Sequence, residues 1–351
     1  MFQKQLGRKN RELVSTSLKA SLAPFPLFFL LLLFLLAGCY WGLRLGAISY
    51  SHNQMLSVLK EPLVQSDLQD ILIDLRLPRI LAAGLVGASL ATSGTIMQAV
   101  TRNRLADPGL LGIPAGAGLF LILKMIFFPD SSEWLTIFAC LLGASLAAFL
   151  IIYLSQQNRK NKGPLHLILA GIMVTAIMQA LGQGIALLHD MSNHIVGLEA
   201  GSLTSISWRS LFLLAPFIFI GLMLAQIFAH SLTILSLDDT VATALGQDTQ
   251  KMTVFFLAIV VLLSASSVSL VGSLSFVGLI IPNLLTALLP KDYRYILPFS
   301  SLAGAGFLIW VDLVSRTLHP PYETPLSTLI SFIGLPIFLL LIRKGNFSYE
   351  K

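Results

Sequence analysis

The sequence predicts an all-α polytopic membrane protein with about ten transmembrane helices and both termini in the cytoplasm. Three observations lead there. Of 351 residues, 55% are hydrophobic and 11% are charged, and the mean hydropathy is +0.81. A soluble domain carries about 25% charged residues. The lower density here cannot cover a globule of this size with solvated side chains, which excludes an ordinary cytosolic enzyme, a disordered chain and a fibrous protein. Second, apolar runs of a length suited to ~30 Å of hydrocarbon recur along the chain. Third, the Lys and Arg residues between those runs fall mostly on one side.

The elements follow in order. Residues 1–23 read as a cytoplasmic arm, with Lys4, Arg8, Lys9, Arg11 and Lys19 against Glu12. The apolar run 24–43 is too long for a signal-peptide core and lacks a small-residue cleavage site, so it reads as the first span. Further spans are predicted at 77–100, 110–128, 134–154, 165–188, 208–229, 252–271, 274–289, 296–318 and 325–342. The eighth is short and nearly touches the seventh. Helices are the reading for runs of this length, because every backbone amide in lipid needs an internal partner. The ten-span membrane domain is 24–344, with a polar cytoplasmic segment at 236–250 and a cytoplasmic tail at 345–351.

With the N-terminus inside, 16 of the 23 Lys and Arg residues fall on the inner side, among them Arg102, Arg104, Arg159, Lys160, Lys162, Lys251, Lys291 and Arg294. The outer side holds Arg44, Lys60, Arg76, Arg79, Lys124, Arg209 and Arg316. The net charge of +6 therefore reflects loop placement in a membrane protein rather than a nucleic-acid partner. Small residues four apart, Ala83 and Gly87, Gly112 and Gly116, Gly143 and Ala147, suit close helix packing in lipid. Cys39 and Cys140 lie in apolar stretches and form no disulfide framework or metal-ligand spacing.

No catalytic constellation is present: no phosphate-binding loop, no GxSxG and no HExxH. No cofactor and no metal site is expected. His189 and His194, five apart, lie off a shared helical face in a polar outer loop with Asp190 and Glu199. Most spans are free of charge. Asp312 and Arg316, i and i+4, suit a structural ion pair; a relay role at this position is the alternative, in an ion-coupled secondary transporter. A chain that moves something without its own energy source points to a partner that drives it.

Residues 236–250 read as a short cytoplasmic helix. Ser236 followed by Asp239 fits an N-cap with an acid at its third position. Asp238 and Asp239 suit the positive end of the helix dipole. Val241, Ala242, Ala244 and Leu245 follow, and Gly246 is suited to a left-handed stop. A basic helix would lie on the membrane, but this one is acidic. On the outer side, Arg76 and Arg79 share one face, and Pro78 fits a first helical turn. Snorkelling to headgroups is one reading of Arg76, Arg79 and Arg316. Docking of carboxylates is the other.

Several stretches resemble the iron-siderophore, haem and cobalamin family of ABC importer permeases, the FecCD-type family. They are Arg76-Leu-Pro-Arg-Ile-Leu-Ala-Ala-Gly, Ser93-Gly-Thr-Ile-Met-Gln98, Arg102-Asn-Arg-Leu-Ala-Asp-Pro-Gly, Leu235-Ser-Leu-Asp-Asp-Thr-Val-Ala-Thr-Ala-Leu-Gly246, Phe276-Val-Gly-Leu-Ile-Ile-Pro282, Asp312-Leu-Val-Ser-Arg316 and Glu323-Thr-Pro-Leu326. Together they cover about 24–344. Arg104 stands where this family usually has Pro, Asp238 where Gly is usual, Asn283 for His and Thr286 for Arg.

The resemblance implies a ten-helix permease subunit in the cell membrane of a prokaryote. Its partners would be a second permease subunit, two cytoplasmic ATP-binding subunits, and an extracellular or periplasmic binding protein. It also implies that Ser236, Leu237, Asp238, Asp239, Thr240, Val241, Ala242, Leu245 and Gly246 couple to the ATPase. Arg76, Arg79 and Arg316 would receive acidic residues of the binding protein. The cargo would be a bulky metal chelate, a ferric siderophore first, with haem or cobalamin as alternatives.

Overall fold

The computed structural model describes residues 24–46, 48–60, 67–109, 112–157, 164–320 and 322–344. The predicted arm 1–23, the tail 345–351 and the basic residues Arg159, Lys160 and Lys162 lie outside them. The described residues form helices α1 (Pro24–Arg44), α2 (His52–Lys60), α3 (Leu77–Thr101), α4 (Ile113–Phe127), α5 (Glu133–Gln157), α6 (Pro164–Leu188), α7 (Ser192–Ala200), α8 (Trp208–Ile227), α9 (Ala229–Leu235), α10 (Asp239–Ala244), α11 (Thr249–Val271), α12 (Val277–Leu288), α13 (Tyr293–Thr317) and α14 (Leu326–Lys344). Each of the ten predicted apolar runs contains a helix.

Seven of these helices are long and apolar enough to cross a membrane. α4 and α12 are shorter, at 15 and 12 residues. At 1.5 Å per residue, α12 reaches only ~18 Å. The break before it is irregular backbone, with Gly272 at φ 85° and Phe276 at φ 70°. Its polar groups are met inside the protein. Ser273 N donates to Leu198 O at 2.9 Å, and Ser202 N to Val271 O at 3.1 Å. Broken helices at membrane depth are tolerated where protein covers them in this way.

α3 is the central helix. Its apolar window is 83% buried, against 11% for α1. Glycines let its neighbours approach. A Cβ on Gly87 would collide with the Gly304 carbonyl of α13, and the reverse also holds; Gly94 stands in the same relation to Gly278 of α12. Gly116 and Gly143 do the same between α4 and α5. Each of the three small-residue pairs read from the sequence thus supplies a glycine to a helix contact, while Gly94, Gly278 and Gly304 belong to contacts that spacing along one chain does not reveal.

The sequence predicted that α3 begins at 77. The helical path starts earlier, with Asp67–Gln69 and a π-helical turn over Asp70–Arg76. Pro78 explains the wider turn. It has no N–H to give back to the preceding turn, and the Ile73 carbonyl accepts instead from Trp208 Nε1 at 3.0 Å.

Candidate functional site

Two clusters of polar side chains stand at opposite ends of α3. The first gathers the outer arginines. Arg79 Nε and Nη2 donate to Asp312 Oδ1 at 2.9 and 2.7 Å. Its Nη1 and Nη2 donate to Glu323 Oε1 and Oε2 at 2.6 and 2.8 Å. Arg316 Nε lies 3.1 Å from Asp312 Oδ2, off the angle of a hydrogen bond. The i, i+4 ion pair read from the sequence is present, but Asp312 serves two guanidiniums.

Arg76 and Arg316 do something the sequence reading did not weigh. Arg76 Nη1 and Nη2 donate to Leu43 O and Ile48 O at 2.7 and 2.6 Å, and its guanidinium lies 4.8 Å over the Tyr50 ring. Arg316 Nη2 donates to Gly42 O at 3.3 Å. Both therefore reach the last carbonyls of α1, where unpaired acceptors and the negative end of the dipole favour cations. All three arginines are below 10% exposed. Each guanidinium is thus paired within the protein and largely covered by it. Arg76, Arg79, Arg316 and Glu323 line a cavity of about 280 Å³ at this end.

The second cluster is at the other end of α3. The helix closes in a Schellman motif: Asn103 N donates to Gln98 O at 3.2 Å and Arg102 N to Ala99 O at 3.3 Å. Arg102 takes the left-handed position at φ 51°, where glycine is usual. Its Nη2 reaches Leu235 O at 3.1 Å and Asp239 Oδ1 at 2.6 Å. α3 is thus tied to the end of α9 and the start of α10.

The predicted helix in 236–250 exists as α10, with one correction. Ser236 is not its N-cap. It ends α9, and its hydroxyl donates back to Thr233 O at 2.7 Å. Asp238 occupies the N-cap in extended conformation without a side-chain cap bond. The chain needs the extra turns of α9 to leave α8, so Ser236 falls one helix too early. Gly246 adopts φ 80°, as expected of a left-handed stop, and Gln247 N closes on Ala242 O at 3.1 Å. Ala242 faces inward, while Leu237, Val241 and Leu245 are exposed, together with Asp239 and Thr240. Val241 and Leu245, i and i+4, form a short apolar stripe at the end of α10, and Leu237 stands before the helix.

One buried acid was missed. The chain after α3 folds back beside α12, so that Asn283 Nδ2 donates to Arg104 O at 2.8 Å. Further along, Asp107 is 3% exposed. Its carboxylate lies against Gly278 and Gly109, and the backbone N–H groups of Phe276 and Gly109 reach it. A buried carboxylate needs such donors. The acid two residues before a glycine was the signal, but its partner is far away in sequence. His194, expected in a loop, lies on α7. Among the described residues, no group of three His, Cys, Asp or Glu side chains is arranged to hold a metal.

Comparison with known proteins agrees with this architecture. The chain is 36% identical over 307 residues to the iron(3+)-hydroxamate import system permease protein FhuB of Bacillus subtilis, covering 88% of this chain and 80% of that one. It is 31% identical over 316 residues to the probable heme-iron transport system permease protein IsdF of Staphylococcus aureus, covering 90% and 95%. A solved structure described as an inward-facing conformation of a metal-chelate type ABC transporter superposes with a TM-score of 0.78 at 28% identity, over 92% of this chain and all of that one. The FecCD transport family model matches residues 30–344. With its all-helical bundle and seven helices fit to cross a membrane, the chain belongs to the FecCD transport family of iron and siderophore import permeases.

Proposed function

We propose that the chain is the membrane-spanning subunit of a binding-protein-dependent importer that moves a bulky ferric chelate into a prokaryotic cell. It crosses the cell membrane about ten times with both termini inside, pairs with a second permease subunit, and is driven by two cytoplasmic ATP-binding subunits. The observation that carries this reading is the placing of two unlike polar clusters at the two ends of one buried helix. At one end, Arg76, Arg79 and Arg316 line an open cavity, suited to carboxylates of a binding protein. At the other, the exposed stripe of Val241 and Leu245 lies on a short helix tied to α3 through Arg102, with exposed Leu237 just before it. An acidic helix with an apolar stripe outside the bilayer suits a groove on an ATPase better than a membrane surface.

In this mechanism, ATP binding draws the ATPase subunits together and shifts α10. Arg102 passes that displacement to α3, and the permease alternates between outward-facing and inward-facing states that each partner favours differently. ATP hydrolysis falls to the ATP-binding subunits. A ferric siderophore is the first cargo, since relatives named for ferric hydroxamate and ferric enterobactin import stand among those similar to the chain; haem is the alternative that a relative's name supports, and cobalamin is the third.

Ion-coupled secondary transport is the competing mechanism, and Asp312 was its candidate relay. Each Asp312 oxygen faces a guanidinium and its side chain is 1% exposed, which suits a structural ion pair better than a relay. Purification of tagged protein from gently solubilised membranes, followed by ATPase assay with and without loaded binding proteins, tests the proposal. Co-purification of an ATPase whose hydrolysis responds to a loaded binding protein is expected. A permease that purifies alone and transports under an ion gradient would refute it.

A further inference from the structure

A guanidinium carries five N–H donors. Arg79 spends two contacts on Asp312 and two on Glu323, the latter as a bidentate fork at 2.6 and 2.8 Å. What remains cannot form a second fork. The two acids differ in reach. The Asp312 side chain is 1% exposed and is also held by Arg316. The Glu323 side chain is 31% exposed and lines the outer cavity. A carboxylate arriving from outside therefore engages Arg79 in bidentate fashion only by displacing Glu323.

We infer that Glu323 is an internal stand-in for the binding protein's carboxylate. It occupies Arg79 in the undocked permease and is exchanged for the partner's acid on docking. This inference rests on the docking role of Arg79 proposed above.

The exchange has somewhere to go. Glu323, Thr324 and Pro325 lead directly into α14. Thr324 is pinned to the end of α13, its N–H donating to Ser315 O at 3.2 Å and its carbonyl accepting from the Ser315 hydroxyl. Leu326 N reaches Gly201 O at 3.4 Å. Gly201 in turn packs on Leu274, in the break between α11 and α12. Release of Glu323 frees the one charged anchor of this stretch and loosens the first turn of α14. A partner shifts a conformational equilibrium only by a contact that differs between states. The Arg79 fork is such a contact, because Glu323 and the incoming carboxylate exclude each other.

Competition with an internal ligand lowers apparent affinity by the fraction of time the site is free. Glu323→Gln keeps the shape and one acceptor oxygen and removes the charge. It is expected to tighten binding of the loaded binding protein by about tenfold and to raise ATP hydrolysis by the complex without binding protein toward the stimulated level. Glu323→Asp, one methylene short of the fork, should give a smaller shift in the same direction. Affinity is measured on the purified permease–ATPase complex in nanodiscs, with each ferric-chelate-binding protein of the source cell offered in turn. Loss of packing alone would weaken binding, so the sign of the change separates the two.

Unchanged or weaker binding by Glu323→Gln overturns the inference. If that variant does not assemble, absence of any gain in Glu323→Asp does the same. Arg79→Ala separates this failure from failure of the docking reading. Weaker binding by Arg79→Ala with no gain in the Glu323 variants leaves docking standing and removes the exchange. Unchanged binding by Arg79→Ala, or no binding by the unaltered complex, removes both.

Discussion

Arg102 ends helix α3 in a left-handed backbone conformation, and its guanidinium rests 2.6 Å from the Asp239 carboxylate on the first turn of α10. The two observations bear on each other. A side chain at φ 51° is held at a cost of roughly 1–2 kcal/mol relative to glycine. An ion pair whose acid side chain is 74% exposed returns about 0–1 kcal/mol, and the bond to Leu235 O about 0.5–1.5 kcal/mol, which together do no more than offset that cost. Stability therefore does not explain arginine at this position; the position of α10 relative to α3 does.

Arg102→Gly follows from that comparison. Relief of the left-handed strain offsets the lost ion pair, so thermal stability in detergent should hold within about 1 kcal/mol. Coupling should nonetheless fall severalfold, measured as chelate taken up per ATP hydrolysed in proteoliposomes. Equal loss of stability and transport would instead make Arg102 a plain structural cap.

Leu245→Asp places a charge on the exposed stripe of α10. The residue is 60% exposed, so the bundle should assemble with a change of about 0.5 kcal/mol or less. Uptake should drop at least tenfold while basal hydrolysis by the ATPase persists. Normal transport by this variant would remove α10 from the coupling role.

Gly87→Val tests the contact of α3 with α13. Any Cβ at Gly87 meets the backbone of Gly304, which cannot rotate away as a side chain can. Overpacking of this kind costs about 3 kcal/mol or more. A marked fall in the midpoint of thermal unfolding is expected. Gly184→Ala is the control, since nothing lies within 4 Å of a Cβ there, and it should leave the midpoint unchanged.

Asp107→Ala strips an acceptor from the backbone at the entry to α12. Leaving buried N–H groups unpaired costs about 1–3 kcal/mol. Asp107→Asn keeps a carbonyl oxygen in place and should recover much of the loss, as read from the same unfolding midpoint. Equal destabilisation by both would show that charge, not hydrogen bonding, holds this turn.

The local elements were legible because their causes are local. Apolar runs of span length are contiguous in sequence, and a glycine with positive φ at 246 or an acid and a base at i, i+4 act within one or two turns. Asp312 and Arg316 were found for that reason. Ser236 was misplaced because two short helices, α9 and α10, meet there, and either could claim it by spacing. Asn283 and Arg104, two departures from the family pattern, meet through a side chain and a carbonyl, which no window along the sequence reveals.

Composition and hydrophobic length, acting through the energetics of lipid, determined by themselves that this protein is an all-helical polytopic membrane protein; its motifs pointed to the FecCD family of permeases. The tertiary structure decided which helix is central, which glycines let backbones touch, and where charges go once buried. Arg79 shows why. Its partner Asp312 is 233 residues away and Glu323 is 244 away. A buried guanidinium must be paired, but the sequence states only that requirement. Folding supplies the acids that meet it.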